Sequence, residues 1–183
     1  MVIIQEKVGG LSEAALAKFV ARARRAAGLR GAVSVLITSS RELQGLNHRF
    51  RGKNKPTDVL SFPAMPGLTQ DFAGDVAISA EIAAANARRL GHTAAEEISI
   101  LTLHAVLHLA GYDHELDGGE MEREEARLRK ALGLPVGLIE RNGRGAGAKS
   151  LSKQSKAGVR VRRVVVSTRA KGGAASRTAR ASR

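Results

Sequence analysis

The chain contains no cysteine, which excludes disulfide bonds and thiolate metal sites, so a bound metal would need His, Asp or Glu ligands. It also lacks tryptophan and has only one tyrosine and four phenylalanines. So few aromatic rings exclude a broad platform on which the bases of a single strand could stack. If the chain binds nucleic acid, its affinity must come mainly from contacts with phosphates.

Long apolar segments are absent as well. The first residues have neither the basic start nor the apolar stretch of a secretory signal. No window reaches the roughly 18 apolar residues that a membrane-spanning helix needs. We therefore expect a cytoplasmic protein with no membrane contact.

Acidic residues are missing from the C-terminal part of the chain. Residues 141–183 contain 13 Lys and Arg and no Asp or Glu, whereas residues 1–140 contain 17 basic and 17 acidic residues. The whole net charge of +13 therefore lies in residues 141–183, which are rich in Gly, Ala, Ser and Arg and bury too little apolar surface to offset their ordering entropy. The sequence predicts a folded domain over residues 1–140 and a disordered basic tail over residues 141–183 that contacts nucleic acid.

The hydrophobic periods of residues 1–140 predict an α+β fold, with a small mixed sheet of about four strands packed against about five helices. The predicted strands span residues 2–4, 32–38, 59–62 and 75–78. The predicted helices span residues 11–28, 39–50, 79–91, 94–110 and 119–132. The helix at 94–110 begins with a Thr93 and Glu96 capping box, and it is apolar nearly all round, which predicts burial in the core. We expect a metal site at the end of this buried helix.

Three histidines carry the clearest chemical signal, in the pattern H-x-x-x-H-x-x-G-x-x-H. His104 and His108 are four residues apart and therefore share one face of the predicted helix. Gly111 can adopt a positive φ and turn the chain so that His114 meets the other two rings. Three neutral imidazoles suit zinc, and three protein ligands leave one coordination position open for water or substrate. The pattern predicts one catalytic zinc ion.

Two other interpretations of the histidine pattern stay open. Metzincin proteases have the same spacing, but they place a glutamate directly after the first histidine as the general base. Here Ala105 occupies that position and cannot accept a proton from an attacking water, so this alternative is a protease-like hydrolase without its usual base. The other alternative is a non-enzymatic RNA-binding module with a structural zinc, although structural sites normally have four protein ligands.

A basic segment at residues 48–57 contains His48, Arg49, Arg51, Lys53 and Lys55. Such a segment could hold the phosphates of a polyanion, and a solvated helix end is an equally good explanation. Arg51 is the strongest candidate because a guanidinium group can bind two phosphate oxygens at once.

Two more polar residues lie close to the histidine pattern. Asp113 could act electrostatically by fixing a metal-binding imidazole, or it could simply stabilise the turn with its side chain. His92, between two predicted helices, is expected to be exposed.

Three motifs occur together in this order: N-H-R-F-R-G-K-N-K-P-T-D-V-L-S-F-P at 47–63, G-D-V-A-I-S at 74–79 and the histidine pattern at 104–114. Together they resemble the YbeY family of bacterial endoribonucleases that mature ribosomal RNA, over about residues 1–140. The resemblance implies an α+β metalloprotein with zinc on His104, His108 and His114 and with Arg51 facing the metal cleft.

The resemblance also implies single-strand-specific RNA cleavage in 16S rRNA maturation and ribosome quality control, and it suggests proteins of the small ribosomal subunit as partners. Water and the RNA 2′-hydroxyl both stay open as the nucleophile. This chain departs from the family at Ala105, where the family usually has glycine. It also departs in its basic tail, because the family usually ends near residue 140 or 155.

Overall fold

The computed structural model describes residues 1–65, 71–114 and 117–135, together with the strand Arg162–Arg163. The strands are β1 (Val2–Ile4), β2 (Ala32–Thr38), β3 (Val59–Pro63), β4 (Phe72–Ser79) and β5 (Arg162–Arg163). Within these residues there are five helices, α1 (Glu13–Ala26), α2 (Ser40–Arg51), α3 (Ala80–Leu90), α4 (Ala94–Leu109) and α5 (Glu120–Leu132). The predicted α+β fold is confirmed, with the four expected strands and β5 in addition.

The sheet is mixed and has the strand order β1-β2-β4-β3-β5. Strand β2 runs parallel to both β1 and β4, whereas β3 runs antiparallel to β4 and β5 lies parallel to β3. Strand β4 begins earlier than the hydrophobic pattern predicted, because Phe72 to Gly74 also pair with β2. Strand β3 thus lies between β4, to which it is antiparallel, and the edge strand β5.

Four of the helices have an N-cap residue whose side chain accepts a backbone hydrogen bond in the first turn. Ser12, Ser39 and Ser79 each accept a hydrogen bond from the backbone N–H three residues later. At the start of α4 the predicted capping box is complete, since Thr93 accepts from the Glu96 N–H and the Glu96 carboxylate accepts from the Thr93 N–H. The start of α4, the helix that carries two of the histidines, is therefore set by its own sequence.

Helix α4 lies in the middle of the molecule, as its apolar sequence predicted. Its residues Ile98, Leu101 and Ala105 belong to the main core cluster, which also contains the β-branched side chains on the inner face of the sheet. Helix α2 covers part of the opposite face through Leu43, which packs with Leu60 and Ala77. Each fully buried aliphatic side chain contributes about 1.5–3 kcal/mol, so this packing holds α4 firmly in place.

A second cluster joins α5 to the later half of α4. Met121 and Leu128 of α5 are buried against Leu103 and Leu107 of α4. Ahead of α5, the Asp117 carboxylate accepts hydrogen bonds from the backbone N–H groups of residues 119, 120 and 121. The packing and this cap together fix where α5 lies along α4.

Gly74 allows β3, β4 and the end of α4 to approach closely. Its φ is +148°, and a Cβ at this position would clash with the Phe62 carbonyl oxygen and lie 2.9 Å from Leu109 Cδ2. Only glycine fits this conformation without strain. The end of α4 is thereby held against the β3–β4 pair.

The sequence predicted that the chain has no membrane-spanning helix and that residues 141–183 form a disordered tail. None of the helices in the described part of the chain has the length and hydropathy that a membrane span requires. The expected disordered tail at 141–183 lies outside the described residues, apart from the backbone of β5, and the division into a domain at 1–140 and a tail stays a prediction.

Candidate metal centre

The three predicted histidines come together at the end of α4. Helix α4 ends at Leu109, and Gly111, with a φ of +99°, bends the chain back so that His114 returns to the helix end. Ring centroids are 4.8 Å apart for His104 and His108, 5.5 Å for His104 and His114, and 5.2 Å for His108 and His114. One nitrogen from each ring lies within 4.8 Å of the other two, close enough for a single ion.

His104 is oriented by a carboxylate from α5. Its Nδ1 atom lies 2.6 Å from Glu125 Oε2, and the other Glu125 oxygen pairs with Arg129. Burial by itself raises the pKa of Glu125, but the hydrogen bond from His104 and the charges of His104 and Arg129 outweigh burial and lower that pKa to about 2. Glu125 is therefore ionised and can only accept, so His104 carries its proton on Nδ1.

His108 is oriented by the backbone. Its Nδ1 atom lies 3.0 Å from the Tyr112 carbonyl oxygen, which can only accept a hydrogen bond, so Nδ1 must carry a proton. The side chain is buried, and burial, followed by the nearby charges of His104 and His114, lowers the pKa of His108 to about 4. At neutral pH His108 is therefore a neutral imidazole with an unprotonated Nε2.

These two orientations turn the Nε2 atoms of His104 and His108 toward each other. Both Nδ1 atoms are used as donors, and the two Nε2 atoms lie 3.1 Å apart. Two neutral rings would place two lone pairs against each other at that distance, whereas a proton on one Nε2 atom or a metal ion bound by both accounts for it. Two nitrogens bound to one tetrahedral zinc at about 2.0–2.1 Å would lie roughly 3.3 Å apart, so the donor set and its spacing fit such an ion.

Sequence reasoning did not identify Glu125. The sequence offers Asp113 as a carboxylate that could fix an imidazole, and the structure shows such contacts from Glu125 to His104 and from the Tyr112 carbonyl to His108. The charge of Asp113 works against burial and raises the pKa of His108. A signal for Glu125 was present in α5, where it lies on the same face as the buried Met121 and Leu128, a position at which an acid needs a partner.

The expectation of an exposed His92 is wrong. Only 9% of the His92 side chain is exposed, and its Nε2 atom lies 2.6 Å from Glu97 Oε2. Glu97 lies in the first turn of α4 and faces inward. The two polar side chains can be buried because they satisfy each other.

Arg51 is the last residue of α2, and Gly52 ends that helix in a left-handed conformation. The loop that follows is fastened by a hydrogen bond from the Asn47 side-chain amide to the Lys55 carbonyl, and it leads to the buried Asp58. Burial raises the pKa of Asp58, while the charge of His104 lowers it. The loop that follows Arg51 therefore ends within electrostatic range of the histidine cluster, and the role of Arg51 itself stays a prediction.

Ala105 is fully buried in the main core cluster. Its methyl group is accommodated among apolar side chains, so the position that is usually glycine in the resembled family accepts an alanine here. It provides no group that could accept a proton. A general base of the metzincin kind is therefore absent at this position.

Comparisons with known proteins show which family this chain resembles. The model of the family described as Endoribonuclease YbeY matches residues 3–133. A curated relative from Koribacter versatilis, named Endoribonuclease YbeY, is 58% identical over 141 residues, which cover 77% of this chain and 91% of the relative. A relative of the same name from Solibacter usitatus is 50% identical over 132 residues, covering 72% of this chain and 86% of the relative. A solution structure from Thermotoga maritima is 28% identical with a TM-score of 0.49, covering 79% of this chain and 94% of that one.

Proposed function

This chain belongs to the YbeY family of endoribonucleases, and we propose that it cleaves single-stranded RNA at one zinc ion held by His104, His108 and His114. The observation that carries this proposal is the convergence of the three rings, in which the Nε2 atoms of His104 and His108 lie 3.1 Å apart and one nitrogen of each ring lies within 4.8 Å of the other two. Neighbouring groups hold the rings of His104 and His108 in this orientation, so the arrangement is built into the fold. A metal ion is a ligand that all three nitrogens can bind together.

The proposed set of three histidine ligands keeps the bound ion chemically reactive. Neutral imidazoles do not cancel its charge, and three protein ligands leave one position open, as in catalytic rather than structural zinc sites. When bound, such an ion either makes water nucleophilic at neutral pH or polarises a phosphoryl oxygen for attack by the RNA 2′-hydroxyl. The protein's own task is to hold the three rings in place and to bring the scissile phosphate to them.

Arg51 is the proposed partner for the phosphate. The loop after Arg51 ends at Asp58, which is within electrostatic range of His104. A guanidinium group there could bind two phosphoryl oxygens and stabilise the negative charge that grows on them during cleavage. Together with the three histidines that would hold the ion, Arg51 completes the set of proposed catalytic residues.

The proposed substrate is the ribosomal RNA precursor, in 16S rRNA maturation and ribosome quality control in the cytoplasm. The support is the family membership and the name that the relatives carry. Proteins of the small ribosomal subunit are the proposed protein partners. The basic tail at 141–183 is proposed to add phosphate contacts that increase affinity for RNA.

The test is cleavage of a labelled single-stranded RNA by the full chain, compared with the same RNA as a duplex and with DNA of the same sequence. We expect cleavage of the single-stranded RNA only, and we expect a chelator or His104→Ala to abolish it. His48→Ala, which changes an exposed histidine outside the cluster, is the matched control for metal dependence.

Circular dichroism of the chelated protein separates a catalytic ion from a structural one. A catalytic ion leaves a folded, inactive protein when it is removed, whereas a structural ion takes the fold with it. Chelator-resistant cleavage, or unfolding on chelation, would contradict the proposal.

A further inference from the structure

We propose that Glu125, itself held by Arg129, is a positioning residue that presents the Nε2 lone pair of His104 to the metal ion. This inference rests on the proposed function, because it concerns the same ion. The orientation of the His104 ring is a property of the metal-free chain and can be measured without the ion.

Glu125 is in an unusual place for an acid. It lies on the face of α5 that also carries Met121 and Leu128, four residues before it and three after it, and both of these are buried. Only 12% of the Glu125 side chain is exposed. An ionised group at such a position is strongly unfavourable unless it is fully paired, so its partners are the reason that it can be there.

The two oxygens of Glu125 have different partners. Oε2 lies 2.6 Å from His104 Nδ1, and Oε1 pairs with Arg129, one helical turn further along α5. With one oxygen held from each side, the carboxylate cannot rotate without breaking one of these two contacts. Glu125 is therefore a fixed acceptor rather than a mobile one.

A fixed acceptor determines the tautomer of His104. The nitrogen of an imidazole that carries the proton is set by the hydrogen bond at its other nitrogen. With Nδ1 donating to Glu125, the neutral ring has its lone pair on Nε2, which is turned toward His108. Without Glu125 the ring could flip or move its proton to Nε2, and either change removes a metal ligand.

The packing of α5 on α4 sets this contact. Leu103 and Leu107 of α4, which lie on either side of His104 in the sequence, pack with Met121 and Leu128 of α5, which lie on either side of Glu125. The apolar contacts thus bracket the polar one and hold the two helices in register. These contacts place Glu125 of α5 against His104 of the metal centre.

A purely structural ion pair is the rival explanation, and the chain offers a matched control for it. Glu124, the adjacent residue, accepts two hydrogen bonds, of 2.8 and 2.6 Å, from the exposed Arg127 of the same helix. Glu124→Gln removes the same charge from the same helix without touching a histidine. If Glu125 only helped to dock α5 through its charge, substitutions at positions 124 and 125 would have the same effect on zinc affinity and on the His104 tautomer.

The experiment compares the wild-type chain with Glu125→Ala, Glu125→Gln and Glu124→Gln. Nitrogen-15 NMR of the metal-free protein reports which nitrogen of His104 carries the proton, and competition with a chromophoric chelator measures zinc affinity. We expect Nδ1–H in the wild type, a mixture of tautomers in Glu125→Ala, and a loss of zinc affinity of about 10- to 100-fold in that variant. Glu125→Gln should lie between them, because its amide oxygen can still accept from Nδ1, and Glu124→Gln should match the wild type.

The proposal would be overturned if Glu125→Ala had the same zinc affinity and the same His104 tautomer as Glu124→Gln. If Glu125→Ala does not fold, Glu125→Gln decides by the same comparison with Glu124→Gln. A wild-type chain that binds no zinc would refute the proposed function instead, and the tautomer measurement would still test whether Glu125 orients His104.

Discussion

The Nε2 atom of His92 lies 2.6 Å from Oε2 of Glu97, and the Glu97 side chain is only 2% exposed. The pair joins the loop between α3 and α4 to the first turn of α4, where an acid also interacts favourably with the helix dipole. Because Glu97 is so deeply buried, it depends on His92 for compensation. The pair therefore anchors the start of the helix that carries the metal centre at its other end.

Replacing His92 by alanine should destabilise the fold. The change leaves a buried carboxylate without its partner, which costs about 3 kcal/mol. Urea unfolding of the metal-free protein measures the loss, with His48→Ala as the control on an exposed histidine. A change of less than about 0.5 kcal/mol, the size of a typical surface substitution, would contradict the inferred role of the pair.

The stability of the metal-free protein should fall as the pH is lowered, and His108 should contribute to that fall. Its folded-state pKa is about 4, below its ordinary value, so the unfolded chain takes up the proton first. The stability from this group is fully present above the unfolded value, is lost as the pH falls from about 6.5 to about 4, and amounts to about 3 kcal/mol.

The difference between the wild type and His108→Asn in unfolding free energy across that pH range isolates the contribution of His108. His48→Asn should keep the wild-type slope. Equal slopes for the wild type and His108→Asn would show that His108 does not have the depressed pKa.

Arg51→Ala should slow RNA cleavage while leaving the metal in place. Loss of a donor to the growing phosphoryl charge typically costs about 100-fold in rate. Arg51→Lys should recover only part of the loss, because an ammonium group cannot bind two oxygens in a fixed fork. The measurement is kcat/KM on a short single-stranded RNA, with zinc content determined for each variant.

The control for that comparison is Arg41→Ala, which changes an exposed arginine of the same helix outside the basic segment. Cleavage by Arg51→Ala at the wild-type rate with the metal still bound would withdraw Arg51 from the mechanism.

Deleting residues 141–183 should flatten the salt dependence of RNA binding and spare cleavage of a short substrate. The segment contains 13 basic residues, and each phosphate contact that is lost reduces the slope of log affinity against log salt. Binding isotherms over a range of salt concentrations measure that slope for the full chain and for residues 1–140. Equal slopes for the two proteins would exclude a tail contribution.

The features that sequence predicted best depend on residues close together in the chain. The cap at Thr93 and Glu96 is a local interaction, and so is the meeting of His104 and His108 on one helical face. Gly111 extended that local argument to His114. Each of these follows from helix geometry and from the freedom of one glycine.

The features that sequence missed depend on tertiary packing. Glu125 is 21 residues from His104, and only the docking of α5 on α4 brings them together. His92 was expected to be exposed because it lies between two predicted helices, whereas its partner Glu97 lies on the buried side of α4. In both cases an acid lies on the buried side of its helix, and a partner there cannot be identified until the neighbouring element is known.

The central claim is that His104, His108 and His114 hold one ion, and elemental analysis of the purified chain tests it most directly. We expect about one equivalent of zinc in the wild type and in His48→Ala, and none in His108→Ala. Wild-type protein without metal, or His108→Ala with the same metal content as the wild type, would contradict it.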